Sequence, residues 1–204
     1  MKKGKRGLRL SRDLRRKQIV EAALTIIANK GVSSLTTASI ARKVGISESN
    51  LYRHFNSKDE IFQDAVEKIR EGLLQNINAV SAMTDADANE RLRMLFVFHL
   101  DYIEKNKGIP RLIFSEEVHI GNRKLKDRLL SVINLYSAKL ESFVKEGQEK
   151  GLIKKDIECH AISLMFIGMI QILTMKWSLS GFSFPLVDEG KKLWMNFEKC
   201  LMEK

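Results

Sequence analysis

Two cysteines and two prolines are all that the 204 residues contain. Cys159 and Cys200 lie far apart, each in an apolar helical pattern. No disulfide framework or zinc-finger spacing can be assembled from them, and buried free thiols in a reducing compartment are expected. Pro110 and Pro185 fall where helices are expected to meet, which leaves the longer segments free of the residue that breaks helices. Strand-type alternation, internal repeats and low-complexity tracts are missing. No signal-type apolar run follows the basic N-terminus, and no stretch reaches the roughly 18 uninterrupted apolar residues of a membrane span. A cytoplasmic protein with no membrane partner is expected. No glycine-rich phosphate loop, nucleophile elbow or convergent carboxylate pair is present, which argues against an enzyme.

The net charge of +10 is unevenly placed. Up to Lys58 there are 14 Lys and Arg against 3 Asp and Glu, and beyond it 21 against 22, so the whole excess sits at one end. Such a block draws a polyanion there by neutralising phosphates and releasing counterions, and leaves the nearly neutral remainder for another task. Residues 1–12, with Lys2, Lys3, Lys5, Arg6 and Arg9, read either as a basic arm that follows a DNA backbone or groove, or as an inert solvated tail.

The stretch 34–58, SLTTASIARKVGISESNLYRHFNSK, holds two short apolar-periodic segments joined by Val44, Gly45 and Ile46. Thr36 and Thr37 precede the first and Ser47 the second, and each can accept from the free amides of a first turn. The spacing predicts a helix-turn-helix within 13–58. A first helix starts at Ser11 or Asp13, carries Ile19, Ala22, Ala23, Ile26 and Ile27 on one face, and stops at Gly31. The next two cover 37–44 and 48–55. Leu51 and Phe55 turn towards Ile40, Ala41, Val44 and Ile46, leaving Glu48, Ser49, Asn50, Tyr52 and Arg53 outward. A fourth helix opens with a Ser57–Glu60 capping box, and its stripe of Phe62, Ala65, Val66, Ile69 and Leu73 leads into a second domain over 59–204.

Thr36-Thr37, Ile40-Ala41, Gly45-Ile46-Ser47, Leu51-Tyr52, His54-Phe55 and Ser57-Lys58 together resemble the DNA-binding signature of the tetracycline-repressor (TetR) family of bacterial transcription regulators, over about residues 13–62. The resemblance implies an all-α homodimer. Each subunit would have about nine helices: three for DNA, the others for dimerisation and for binding an unidentified small-molecule effector. Double-stranded DNA with a palindromic operator is the implied partner, and the nucleoid the implied location.

Each position also has its own chemistry. Thr36 as a cap and Thr37 in the first turn aim amides and a hydroxyl at phosphate. Tyr52 lays its hydroxyl on a phosphate or packs its ring in the small core. Lys58 opens a helix, where a cation is unfavourable, so a nearby phosphate explains it. His54 reads two ways, as a phosphate contact or as a corner held by a backbone hydrogen bond. Arg53 is the best donor for a guanine or a phosphate, while Ser49 and Asn50 are short enough for base edge or sugar, and Ser47, the cap before them, is a further DNA-binding candidate. Glu48 departs from the family pattern at a groove-facing position: it accepts from a cytosine amine, pairs with Arg42 or Lys43, or favours its helix N-terminus.

Further helices are expected over about 88–105, from Pro110 to 119 after a stop at Gly108, and over 123–150, 156–179 and 186–202. Long near-neutral helices rich in Phe and Met can hold an apolar ligand between them. The candidates are Phe96, His99, Tyr102, Phe114, Glu117, Tyr136, Met165, Phe166, Met169, Gln171 and Trp177, with plain packing as the other reading of the apolar ones. Polar groups on apolar faces need partners, which singles out His99, Glu117 and Gln171. Dimerisation is expected through the last two helices, using Met165, Ile172 and Leu173 on one and Leu193, Trp194, Phe197 and Leu201 on the other, with Gly168 either allowing close approach or a harmless interior glycine. His99, His119, Cys159 and His160 lack the spacing that puts two ligands on one helix face, so neither metal nor cofactor is expected. The functional expectation is a repressor released from its operator by a small, largely apolar effector acting through the fourth helix. The alternative is a ligand-independent DNA-organising or activating protein whose second domain serves assembly only.

Overall fold

The computed structural model describes residues 11–202, so the expected arm lies outside the described residues except for Ser11 and Arg12. Nine α-helices are seen among the described residues. They are α1 (Arg12–Lys30), α2 (Thr37–Val44), α3 (Glu48–Leu51), α4 (Lys58–Ser81), α5 (Ala88–Lys105), α6 (Gly108–Ile113), α7 (Arg123–Glu149), α8 (Cys159–Leu179) and α9 (Leu186–Leu201). The all-α architecture is as the periodicity requires.

Side-chain caps place the first helices. Ser11 accepts from the Leu14 amide at 3.3 Å. Thr36 and Ser39 close a reciprocal box, each hydroxyl accepting the other's amide at 3.0 Å. Ser57 accepts from the Glu60 amide at 3.3 Å. The return half of that second box is different from expectation: the Glu60 carboxylate reaches the Asn56 amide at 2.8 Å and Arg16 at 2.9 Å. α3 is also shorter than 48–55. After Leu51 the chain tightens, with the His54 and Phe55 amides both donating to the Leu51 carbonyl, at 2.9 and 3.1 Å.

One continuous apolar core runs from Ile19 and Ile27 of α1 through Phe62 and Leu73 of α4 to Phe96 of α5 and Trp194 of α9. α6 packs directly on α1. Gly108 does not end α5, which is capped at Asn106; it opens α6, and a Cβ there would run into the Leu24 carbonyl of α1. Pro110 accordingly is the third residue of α6 rather than its first, and α6 stops at Ile113, with a separate wide turn over Glu117–Gly121.

α8 is long and apolar enough to cross a membrane by length and composition. It packs one face against α5, α7 and α9, with Ile162, Phe166, Ile170 and Trp177 turned inward, and leaves the opposite face exposed. The thiol expectation holds for neither cysteine in full. Cys159 is half-buried beside Gln148, and Cys200 is exposed because it falls on the outer face of α9.

Candidate DNA interface and effector cavity

The turn residue Gly45, in the left-handed region at φ 77°, sets α3 across α2, and Leu51 and Phe55 are buried beneath it. This leaves Thr36, Ser47, Glu48, Ser49, Tyr52 and Arg53 exposed on one side of the basic end, with Thr37, Asn50, His54 and Lys58 half-buried among them. Tyr52 keeps half of its surface open (51 %), so its ring is not part of the small core. Lys58 holds its ammonium 5.4 Å from the centre of the Phe62 ring.

Several of these polar groups are already engaged. The Thr37 hydroxyl donates to Glu48 at 2.7 Å, which ties the start of α2 to the start of α3. Glu48 is therefore held by a hydroxyl, and not by the Arg42 or Lys43 cation considered from the sequence, both of which are exposed. The Ser47 and Ser49 hydroxyls lie 3.0 Å apart, and Ser47 also caps the Asn50 amide at 3.2 Å. Burial, and then the surrounding Arg15, Arg12, Arg16 and Arg53, lower the pKa of His54, so its imidazole is held neutral. Its Nδ1 is buried with no hydrogen-bond partner. The corner is instead fastened through its backbone, whose carbonyl accepts from Arg16.

Arg16 is a positioning residue that the motif did not disclose. Its guanidinium lies 4.0 Å from the Phe55 ring centre and reaches Glu60 at 2.9 Å and Asp64 at 2.8 Å, so one side chain joins α1, the end of the recognition turn and α4. A signal for it exists in the sequence: position 16 precedes Ile19, Val20 and Ala23 on the same apolar face, and a charge there needs partners.

A cavity of about 60 Å³ lies between α4, α5, α6, α7 and α8. Its wall includes five of the expected ligand residues: His99, Tyr102, Phe114, Tyr136 and Gln171. His99 Nδ1 and the Tyr136 hydroxyl are 3.0 Å apart, their rings edge to face. Desolvation lowers the His99 pKa to about 3 and raises that of Tyr136, so both are neutral. The other expected residues lie elsewhere. Phe96 and Phe166 stack with Trp194 in the core, with ring centres 5.4 and 6.0 Å from the indole. Trp177 packs on Phe182 and donates its N–H to the Phe184 carbonyl at 2.8 Å. Met165 points outward, Met169 packs against the core, and Glu117 sits on the wide turn after α6. Sequence reading missed Thr174, a polar residue on the inward face of α8 that lines the cavity with its hydroxyl buried and unpartnered.

The other residues weighed as metal ligands each have a neighbour of their own: His119 the Ile113 carbonyl at 3.0 Å, His160 Glu141 at 2.8 Å, and Cys159 Gln148 at 3.1 Å. The expected dimer residues divide. Met165, Gly168 and Ile172 are exposed along α8 with Leu164, Met175 and Leu179, and Leu173 and Leu193 are half-buried. Trp194, Phe197 and Leu201 are buried within the subunit, because α9 turns its apolar stripe onto α5.

Residues 19–65 match the family model of bacterial regulatory proteins, tetR family, and residues 62–197 match that of the C-terminal region of YsiA-like proteins. The nucleoid occlusion factor SlmA of Marinomonas sp. (strain MWYL1) is 30% identical over 188 residues, covering 92% of this chain and 95% of that protein. Among solved structures, a putative transcriptional regulator from Saccharomonospora viridis in complex with choline superposes with a TM-score of 0.81 at 21% identity, covering 94% of this chain and 100% of that one. The transcriptional regulator FadR from Bacillus subtilis in complex with stearoyl-CoA does so at 0.77 and 20%, covering 90% and 98%. With both family models matched end to end along an all-α chain that carries the motif on its basic end, the chain belongs to the tetR family of bacterial regulatory proteins.

Proposed function

We propose that this DNA-binding regulator is a ligand-responsive repressor. The basic arm 1–12 and the unit 13–58 engage the operator, and residues 59–204 bind the effector and pair two subunits. The outward face of α8 forms the dimer, which sets two α3 segments about 34–36 Å apart, one turn of a palindromic site. The exposed Tyr52 and Arg53 and the half-buried Lys58 meet phosphate or base edge, with Thr36, Thr37, Ser47, Glu48, Ser49, Asn50 and His54 around them.

One observation carries the sensor reading. Tyr102 lines the cavity and also donates its hydroxyl to the Lys68 carbonyl of α4 at 3.0 Å, and α4 begins at the DNA-binding unit. An effector that fills the cavity presses on a side chain fastened to that helix, and shifts the population towards a spacing of the two motifs that no longer fits DNA. Structures with and without a releasing compound test this: α4 and the separation of the recognition helices should differ between them, and identical positions would refute the mechanism.

The second reading is a DNA-organising protein whose second domain serves assembly only, favoured by the similarity to the nucleoid occlusion factor. Mapping of bound sites on the chromosome separates the two. A few promoter sites emptied by a compound fit the sensor; many dispersed sites indifferent to compounds fit the organiser.

A further inference from the structure

Among the described residues no Lys, Arg, Asp or Glu lines the cavity between α4 and α8. The wall is chiefly aliphatic, with Ile69, Leu73, Leu129, Val132, Ile167 and Ile170 around it. An ionised group brought inside would lose its hydration and meet no opposite charge, which is strongly unfavourable. The His99–Tyr136 pair supplies no such charge, because the imidazole is desolvated and its Nδ1 is already engaged with the phenol at 3.0 Å.

The wall nevertheless has a vacant hydrogen-bonding position. The Thr174 hydroxyl belongs to a residue only 4% exposed, and it has no partner. A threonine inside a helix ordinarily returns its hydroxyl to a carbonyl one turn back, and this one does not. Gln171, three residues earlier on the same face of α8, brings an amide to the same wall. A buried hydroxyl without a partner destabilises the empty protein, and a ligand that supplies the partner recovers that loss. The cavity at about 60 Å³ holds only a few heavy atoms, so a longer molecule must move one of the two rings that part it from open grooves, Tyr102 beside α1 and α4 or Phe114 beside the end of α1.

We propose that this cavity takes a neutral, apolar molecule with one uncharged hydrogen-bonding group, an alcohol, ketone or amide, anchored at Thr174 and Gln171, and that it discriminates against ionised ligands. The proposal rests on the sensor reading above and narrows it to a ligand class.

The test uses the full-length protein and four probes of matched chain length: 1-octanol, 2-octanone, octanoate and octyltrimethylammonium, all at neutral pH. Binding is followed by calorimetry and melting temperature, and operator release is read in the same samples. Octanol and octanone should bind saturably and raise the melting temperature, with the two ions at least about tenfold weaker. Thr174→Val, nearly the same shape, should raise the melting temperature of the free protein and weaken octanol by about tenfold. Equal or tighter binding of octanoate overturns the ligand class while leaving a sensor in place. A lower melting temperature for Thr174→Val, or unchanged octanol binding, removes Thr174 as the anchor. Octanol that binds without releasing operator sinks the sensor reading alone, and no saturable binding by any of the four sinks both.

Discussion

The phenol ring of Tyr102 on α5 occupies the space that a side chain at Gly72 on α4 would fill, and its hydroxyl donates to the Lys68 carbonyl one turn earlier. A glycine inside a helix costs about 1 kcal/mol relative to alanine, so α4 gives up helix propensity to let α5 approach. Gly72→Ala should destabilise the protein by about 1–3 kcal/mol in denaturant unfolding despite the better propensity, because the methyl overlaps the ring. Combining it with Tyr102→Leu should recover part of the loss, giving a coupling of about 0.5–3 kcal/mol. Strict additivity would mean that the two residues do not meet.

Arg16 should behave as a structural residue of the DNA-binding end although it does not belong to the motif. Its guanidinium joins the Phe55 ring, Glu60, Asp64 and the His54 carbonyl, a planar many-armed set that a lysine cannot reproduce. Arg16→Lys should cost about 1–2 kcal/mol of stability, since the partners are partly exposed and the charge is kept. It should also weaken operator binding at temperatures where the variant is still folded, because the end of the recognition turn loses its fastening. Unchanged affinity in the folded variant would contradict that role.

How much of this is legible in the sequence depends on the distance over which a residue is decided. The caps at Thr36 and Ser57 are local, so they can be read directly. The Thr37–Glu48 contact spans 11 residues across a turn and depends on the angle between two helices, which spacing does not contain. Trp194, Phe197 and Leu201 form an apolar stripe that suits a partner subunit and the subunit's own α5 equally well; only the packing of α9 decides for the second. The cavity needs five helices at once, and that is why apolar periodicity offers Phe96 and Phe166 as readily as Tyr136.

His99 should make the protein acid-sensitive. Its folded pKa of about 3 lies below the unfolded value of 6.5, so the unfolded state binds the proton first. The stability due to its neutral state is complete above pH 6.5 and is lost as pH falls from there towards 3, by about 1.4 kcal/mol per unit. The residue keeps a minor part of its surface open, which makes this an upper limit. Denaturant unfolding at pH 7.5 and 5.0 should show His99→Gln, which keeps a hydrogen-bonding group beside Tyr136, losing less than the parent does.

Salt dependence should separate the DNA contacts. Lys58→Ala should weaken operator and random DNA alike, and reduce the slope of log affinity against log salt by about one. Glu48→Gln removes an exposed negative charge at the start of α3 and should tighten random DNA more than operator, lowering the ratio between them. A ratio left unchanged would show that Glu48 serves only the Thr37 contact.

The dimer is tested by contrasting two apolar residues of opposite surroundings. Ile172 leaves 53% of its surface open on α8, in line with Met165, Gly168, Met175 and Leu179, whereas Trp194 is 1% exposed beneath α9. Ile172→Glu should leave the fold intact, since nothing inside the subunit depends on it, but it places a charge at the centre of the apolar face. Sedimentation should then show a monomer, and operator affinity should fall because two half-sites are no longer read together. Trp194→Ala should instead lose about 3–5 kcal/mol of stability as a core cavity opens. An Ile172→Glu protein that remains dimeric would move the interface off this face of α8.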